Sequence, residues 1–169
     1  MTDHAPLSLI ERLAEALLSH EMKVVTAESC TGGGIAYLMT SLPGSSLWFE
    51  RGYVTYSNAA KVENLGVQNI ILDQYGAVSE ETATAMAEGA LDHSHADIAV
   101  AVTGIAGPDG GTEEKPVGTV CFAWSRNNGE TLTTRIHFEG DRQHVRDQSI
   151  SMAIQGLLDI LETTVNEEI

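Results

Sequence analysis

The chain has 169 residues, 43% hydrophobic and 20% charged, enough to bury one core without disulfide or metal staples. Nine Lys and Arg against 24 Asp and Glu leave a formal charge of −15, which argues against nucleic acid or an anionic membrane surface as a main partner. There is no run of about 18 uninterrupted apolar residues, so no membrane span is expected. Met1 to Pro6 is short and polar, so no signal peptide is expected either. The only cysteines, Cys30 and Cys121, fit a reducing cytoplasm rather than a disulfide framework.

In chain order, Ser8-Leu9-Ile10-Glu11 has capping-box spacing, and Ile10, Leu13, Ala14, Leu17 and Leu18 recur behind it on one helical face, predicting a helix to about His20. Lys23 to Ala27 reads as a short buried strand and Gly33 to Ser41 as a helix stopped by Pro43-Gly44. Trp48 to Tyr56 is a strand, rich in aromatic and β-branched residues; Ser57-Asn58 then caps a short helix that Gly66 closes. A loop around Tyr75-Gly76 leads to a helix from Ser79 to about Leu91, with Glu80 and Glu81 in its first turn complementing the dipole. The apolar run at Asp97 to Val102 marks a central strand covered on both faces. A loop from Thr103 to Pro116 with four glycines and two prolines follows. Val117–Trp124 and Thr131–Phe138 form a hairpin through Asn127-Asn128-Gly129, and Asp141 starts a long last helix. The economical arrangement is an α/β fold: a three-layer α/β/α single domain with a mixed central sheet.

Chemistry concentrates at Thr26-Ala27-Glu28-Ser29-Cys30-Thr31-Gly32-Gly33-Gly34, a strand-to-helix junction paved with glycine. Unpaired N–H groups at such a junction stabilise a phosphate or a developing oxyanion. Ser29 is either the N-cap of the following helix or a nucleophile, with the N–H groups of Cys30, Thr31 or Gly32 available to an oxyanion. A nucleophile needs a base. His4, His20, His93, His95, His137 and His144 lie at termini, helix ends or a strand, none beside a glycine-rich loop, so a Ser-His-Asp triad is unsupported. His93-Ser94-His95 with Asp97 is the densest ligand cluster and lacks a second group to make a metal site.

Lys61 remains, early in a helix where the dipole and partial burial would lower its pKa; it is either a solvated cation or a base for serine, with Tyr56 nearby to relay a proton. Thr103-Gly104-Ile105-Ala106-Gly107-Pro108 follows the central strand, at the end where open α/β sheets bind ligands. Neither glycine segment matches a P-loop or dinucleotide fingerprint. The scarce cations Arg51, Lys61, Lys115, Arg142 and Arg146 lie beside such loops. Arg142 and Arg146 start the last helix, where cations oppose the dipole, and serve either a ligand anion or pairing with Glu139, Asp141 or Asp147.

Six ordered segments together resemble the CinA C-terminal domain family over nearly the whole chain, core about 7–163. They are Ala27-Glu28-Ser29-Cys30-Thr31-Gly32-Gly33, Val54-Thr55-Tyr56-Ser57-Asn58-Ala59-Ala60-Lys61, Tyr75-Gly76-Ala77-Val78-Ser79, Val102-Thr103-Gly104-Ile105-Ala106-Gly107-Pro108, Lys115-Pro116-Val117-Gly118-Thr119 and Phe138-Glu139-Gly140-Asp141-Arg142. The resemblance implies an amidase that hydrolyses the carboxamide of nicotinamide mononucleotide (NMN) to nicotinic acid mononucleotide and ammonia, in pyridine nucleotide recycling. It implies no metal and no organic cofactor; small enzymes with exposed sheet faces often pair, so a homo-oligomer, dimer or higher, is expected. It also implies Ser29 as nucleophile, Lys61 as base, Tyr56 assisting, a pocket lined by Cys30, Thr31, Gly32, Gly33, Thr103, Gly104, Ala106 and Gly107, and Arg142 for the phosphate. Arg51 stands where many members have glycine, which would alter the pocket entrance. The N-terminal domain of longer members, linked to ADP-ribose hydrolysis, is not expected here. Two other readings stand beside this one: a non-catalytic nucleotide-phosphate binding or regulatory module linked to competence or DNA damage, and Cys30 as the nucleophile.

Overall fold

A computed structural model describes residues 5–167, with side chains from 9 to 163. The elements are α1 (Ala5–Ser19), β1 (Val24–Glu28), α2 (Gly34–Met39), β2 (Phe49–Val54), α3 (Asn58–Leu65), α4 (Asn69–Tyr75), α5 (Glu80–Asp92), β3 (Ile98–Gly104), β4 (Thr119–Arg126), β5 (Leu132–His137) and α6 (Arg142–Glu167), with a single 3-10 turn at Ser45–Leu47. The strands form one mixed sheet in the order β2-β1-β3-β4-β5. β1 is parallel to both β2 and β3, and β4 and β5 continue the sheet antiparallel.

Side chains on alternate faces of this sheet differ in size, and that difference sets the two helical layers. One face presents Val24, Ile98, Val100, Val102, Val120, Phe122 and Trp124 to Ile10, Leu13 and Leu17 of α1, Met39 of α2 and Val145, Ile154, Leu157 and Leu161 of α6. The other presents Val25 and the small side chains of Ala27, Ala99, Ala101, Cys121 and Ala123 to α3, α4 and α5 through Leu65, Leu72, Ala83, Met86, Ala87 and Ala90. Each fully buried aliphatic side chain here contributes about 1.5–3 kcal/mol of burial. Alanines let α5 lie close to the sheet, and Gly89 lets α3 lie close to α5: a Cβ at Gly89 would collide with the carbonyl oxygen of Leu65.

The three-layer α/β/α arrangement is the one expected from the sequence. Four local expectations are corrected. α1 begins at Ala5, so Ser8-Leu9-Ile10-Glu11 lies within the helix and not at its cap. α2 is shorter than expected and starts at Gly34, because Gly32 and Gly33 take left-handed φ of +59° and +95° that a helix cannot accommodate. The segment before Tyr75 is the helix α4, not loop; its N-cap Gln68 makes no side-chain cap bond, so the usual starting signal is missing. β3 runs on through Gly104, so the glycine-rich loop begins after the expected Thr103. The expected polar leader at Met1–Pro6 lies largely outside the described residues.

Register brings three chain segments level at one edge of the sheet. Glu28 pairs with Val102 of β3 and Val54 of β2. One residue on, the Ser29 N–H donates to Val102 O at 2.9 Å, and the Thr55 N–H donates to Glu28 O at 2.9 Å. Ser29 and Thr55 therefore leave the carboxyl ends of β1 and β2 beside Thr103, near the carboxyl end of β3.

Candidate active site

At that edge a cavity of about 220 Å³ is lined by Ser29, Cys30, Tyr56, Lys61, Ala77, Val78, Thr103, Gly104, Ala106 and Arg142. Lys61 forms its floor. The side chain is 1% exposed, and Nζ lies 3.0 Å from Ser29 Oγ, 2.7 Å from Thr55 O and 3.5 Å from Tyr56 O. The placement follows from local sequence. Ser57 Oγ accepts the Ala60 N–H at 3.0 Å and starts α3 immediately after β2, so Lys61, on its first turn, points back under the strand ends. Burial holds the amine below the usual lysine value, because removing the ammonium from water disfavours its charge. Lys61 is thus not a solvated helix cation.

Ser29 is not a helix cap either. The N-cap of α2 is Gly33, four residues further on, with no side-chain cap bond. The N–H groups expected to face a ligand at that helix start are already taken: Glu28, fully buried, accepts the Ile35 N–H at 2.8 Å, the Ala36 N–H at 3.1 Å and the Thr31 hydroxyl at 2.7 Å. Open donors remain one step closer to the serine. Among the described residues, no backbone or side-chain oxygen accepts the N–H of Cys30 or of Thr31. The Cys30 thiol itself is pushed up to about 12, mainly by burial.

The rim joins two loops and a helix. Arg142, the first residue of α6, donates to Gly107 O at 2.8 Å and to Tyr56 Oη at 3.2 Å. Tyr56 is 62% exposed at the mouth. Opposite them, the Thr103 hydroxyl donates to Ala77 O at 2.8 Å, which fixes Ala77 and Val78 as a wall. Ala77 and Val78 were not singled out as site residues from sequence; the signal was their place in a recurrent segment between Gly76 and Ser79. Glu28 was equally overlooked, although an acidic residue just ahead of Ser29 stood in plain view.

Of the sequence-predicted site residues, Ser29, Lys61, Tyr56, Cys30, Thr103, Gly104, Ala106 and Arg142 converge on the cavity. Thr31, Gly32, Gly33 and Gly107 shape the loops behind it. The Thr31 side chain turns inward to Glu28, Gly32 and Gly33 supply the left-handed turn, and Gly107 offers its carbonyl to Arg142. Arg146 lies behind the serine loop, donating to Thr31 O at 3.3 Å, and borders a separate groove of about 910 Å³ between α2 and α6 that contains neither Ser29 nor Lys61. Lys115 donates to Tyr75 O at 2.7 Å outside the cavity. Arg51 sits on the edge strand β2 with Glu50 and the His93 carbonyl, outside the cavity lining. Among the described residues, no group of three or more His, Cys, Asp or Glu could hold a metal ion.

Comparisons with known proteins identify the family. The family model of the CinA C-terminal domain matches residues 7–161. The chain is 53% identical over 157 residues to the nicotinamide-nucleotide amidohydrolase PncC of Escherichia coli strain K12, covering 93% of this chain and 95% of that protein. It is 52% identical over 153 residues to the nicotinamide-nucleotide amidohydrolase PncC of Pseudomonas putida, covering 90% and 95%. The crystal structure of the competence/damage inducible protein CihA from Agrobacterium tumefaciens superposes with a TM-score of 0.91 at 42% identity, covering 96% of this chain and 98% of that one. The chain belongs to the CinA C-terminal domain family.

Proposed function

We propose that the chain is an amidohydrolase that converts NMN to nicotinic acid mononucleotide and ammonia through an acyl-enzyme on Ser29. The observation that carries this reading is the buried 3.0 Å contact between Lys61 Nζ and Ser29 Oγ on the floor of the cavity. The names of the E. coli and P. putida relatives support the substrate. A binding module for a nucleotide phosphate has no need of an amine bonded to a hydroxyl.

In the neutral amine, two N–H bonds point at Thr55 O and Tyr56 O, and the lone pair is left facing Ser29 Oγ. Burial favours this neutral form, so Lys61 takes the hydroxyl proton as Oγ attacks the carboxamide carbon. The N–H groups of Cys30 and Thr31 are the nearest open donors for the oxyanion that develops on the carboxamide oxygen. The Lys61 ammonium then returns the proton to the departing nitrogen, and ammonia leaves. Water, deprotonated by the same amine, attacks the ester carbon; the C–O bond to Ser29 breaks as the Lys61 ammonium returns that proton to Ser29 Oγ, and the acid is released and ionises to the carboxylate.

A cavity of about 220 Å³ takes the pyridine carboxamide but not the whole nucleotide, so the ribose phosphate lies at the mouth beside Tyr56 and Arg142. Arg142 meets the phosphate by exchanging its neutral partners, Gly107 O and Tyr56 Oη, for a charged one. The reading extends to pyridine nucleotide recycling in a reducing cytoplasm, supported by the two free thiols, and to self-association, supported by the exposed Tyr37, Leu47 and Leu132. The purified protein is tested for ammonia and nicotinic acid mononucleotide released in equal amounts from NMN; tight binding without turnover overturns the reading.

A further inference from the structure

Glu28 is a fully buried acidic side chain for which the chemistry above has no task. Its bonds run forward along the chain, to residues three, seven and eight positions on. Those partners bracket the nucleophile's loop. Thr31 lies inside the turn that carries Ser29, whereas Ile35 and Ala36 are the first turn of α2, where the turn ends. The main chain of Glu28 is fixed as well: its carbonyl takes the Thr55 N–H, and the next N–H, that of Ser29, is held by Val102 O. The Glu28 main chain therefore fixes the start of the segment from 29 to 33, and its side chain ties Thr31 within that segment to the helix start beyond it.

Three donors converging on a dry carboxylate make a strong and geometrically exacting anchor, since ionised acceptors form shorter, tighter bonds. The glycines in that segment need such an anchor, because Gly32 and Gly33 have open conformational alternatives and give the loop no stiffness of their own. The same bonds consume the Ile35 and Ala36 N–H groups at the start of α2, while those of Cys30 and Thr31, beside Ser29, stay open to an incoming group.

We infer that Glu28 is a positioning residue: through Thr31 and the first turn of α2 it holds the loop in the conformation that sets Ser29 Oγ against Lys61 Nζ with the N–H groups of Cys30 and Thr31 open. This rests on the reading of Ser29 and Lys61 as the reacting pair. It does not touch substrate, so its removal acts on kcat and leaves KM alone. Misplacement of a nucleophile by about an ångström costs roughly 10²-fold in rate.

The test is steady-state turnover of NMN by Glu28→Gln, with kcat expressed per folded molecule, the folded fraction being read from the chemical denaturation transition. The carboxamide of this variant would keep the shape of the carboxylate but turn an N–H₂ toward the Ala36 N–H. The expected result is a fall in kcat of tenfold to roughly 10²-fold with KM within about threefold. If Glu28→Gln does not fold, Thr31→Val is measured instead, since it cuts the bond into the turn and leaves the helix cap in place. Ile154→Val, about three turns along α6 from Arg142, supplies the comparison for a purely structural loss: a lower melting temperature with kcat per folded molecule unchanged. Wild-type kcat per folded molecule in the Glu28 or Thr31 variant, or a change confined to KM, overturns the proposal. Full activity in Ser29→Ala would instead overturn the reading beneath it.

Discussion

Lys61 Nζ and Ser29 Oγ lie 3.0 Å apart although 32 residues separate them in the chain. The contact is made by the sheet. β1 and β2 are adjacent and parallel, so the residues that leave their carboxyl ends meet, and α3 begins soon enough after β2 to return a side chain to the same point. Residues that act as such a pair fail together. Ser29→Ala and Lys61→Ala are each expected to lower kcat for NMN by at least about 10³-fold, and the double variant no further than the worse single one. Ammonia release by the three purified proteins checks this.

The pH dependence follows from burial of the amine. Lys61 is held below the ordinary lysine value, so the neutral base becomes populated at a pH lower than for a free lysine. The rate is therefore expected to rise with pH through that lowered pKa and to level off before the ordinary lysine range. Stability moves the same way: burying the protonated amine opposes folding at low pH, and the penalty lifts as pH rises through the folded pKa toward the unfolded one. A pH profile of kcat/KM with the acidic limb at or above the free-lysine value would contradict the assignment. Lys61→Arg, which has no lone pair to offer, is expected to remain inactive across the whole range.

The adjacent thiol behaves oppositely. Cys30 is raised from 9.0 to about 12, chiefly by desolvation, so it stays protonated where Ser29 works. Iodoacetamide at about pH 8 is expected to leave the folded protein unmodified and active, because the thiolate is the reactive species. The raised pKa also stabilises the fold below the unfolded thiol's pKa, and that contribution is lost as pH climbs toward the folded value. Rapid alkylation with loss of turnover would make the sulfur, not the hydroxyl, the nucleophile.

Arg142 separates binding from chemistry. Arg142→Ala removes a charged partner worth about 1.5–3 kcal/mol to a phosphate, so KM for NMN is expected to rise by roughly tenfold or more while kcat changes little. Turnover of the riboside, which has no phosphate, is expected to be nearly unaffected. Equal losses for nucleotide and riboside would place the phosphate elsewhere.

Packing beneath the site is tested at Gly89. A methyl group there strikes the Leu65 carbonyl oxygen at the end of α3, the helix that carries Lys61. Gly89→Ala is expected to cost about 1–3 kcal/mol by forcing α3 and α5 apart. Chemical denaturation reads the stability, and a parallel loss of turnover reads the displacement of the lysine.

What the sequence disclosed, and what it withheld, divides along physical lines. Periodicity and caps located every strand and most helices, because the apolar run of β3 and the Ser57 and Ser79 caps are local signals. α4 escaped because its N-cap, Gln68, supplies no side-chain bond. Ser29 and Lys61 were each visible as candidates, but Lys61 read equally well as a solvated cation. Its burial depends on the depth of the sheet edge, which no window of residues contains. Resemblance to a family, rather than spacing, joined the two. Glu28 was hidden for a further reason: its partners lie on the far side of the very turn under scrutiny, and a buried carboxylate there is apparent only once that turn has closed.

The partners that aim the amine are main-chain oxygens, those of Thr55 and Tyr56. No side-chain replacement can delete them. The aim of the base therefore depends on the count of residues between the end of β2 and Lys61, together with the Ser57 cap that starts α3. Adding or removing one residue in 56–60 would swing position 61 by about 100° around α3. Substitution at Asn58, Ala59 or Ala60 keeps that count, whereas a change in its length would turn the base out of the cavity.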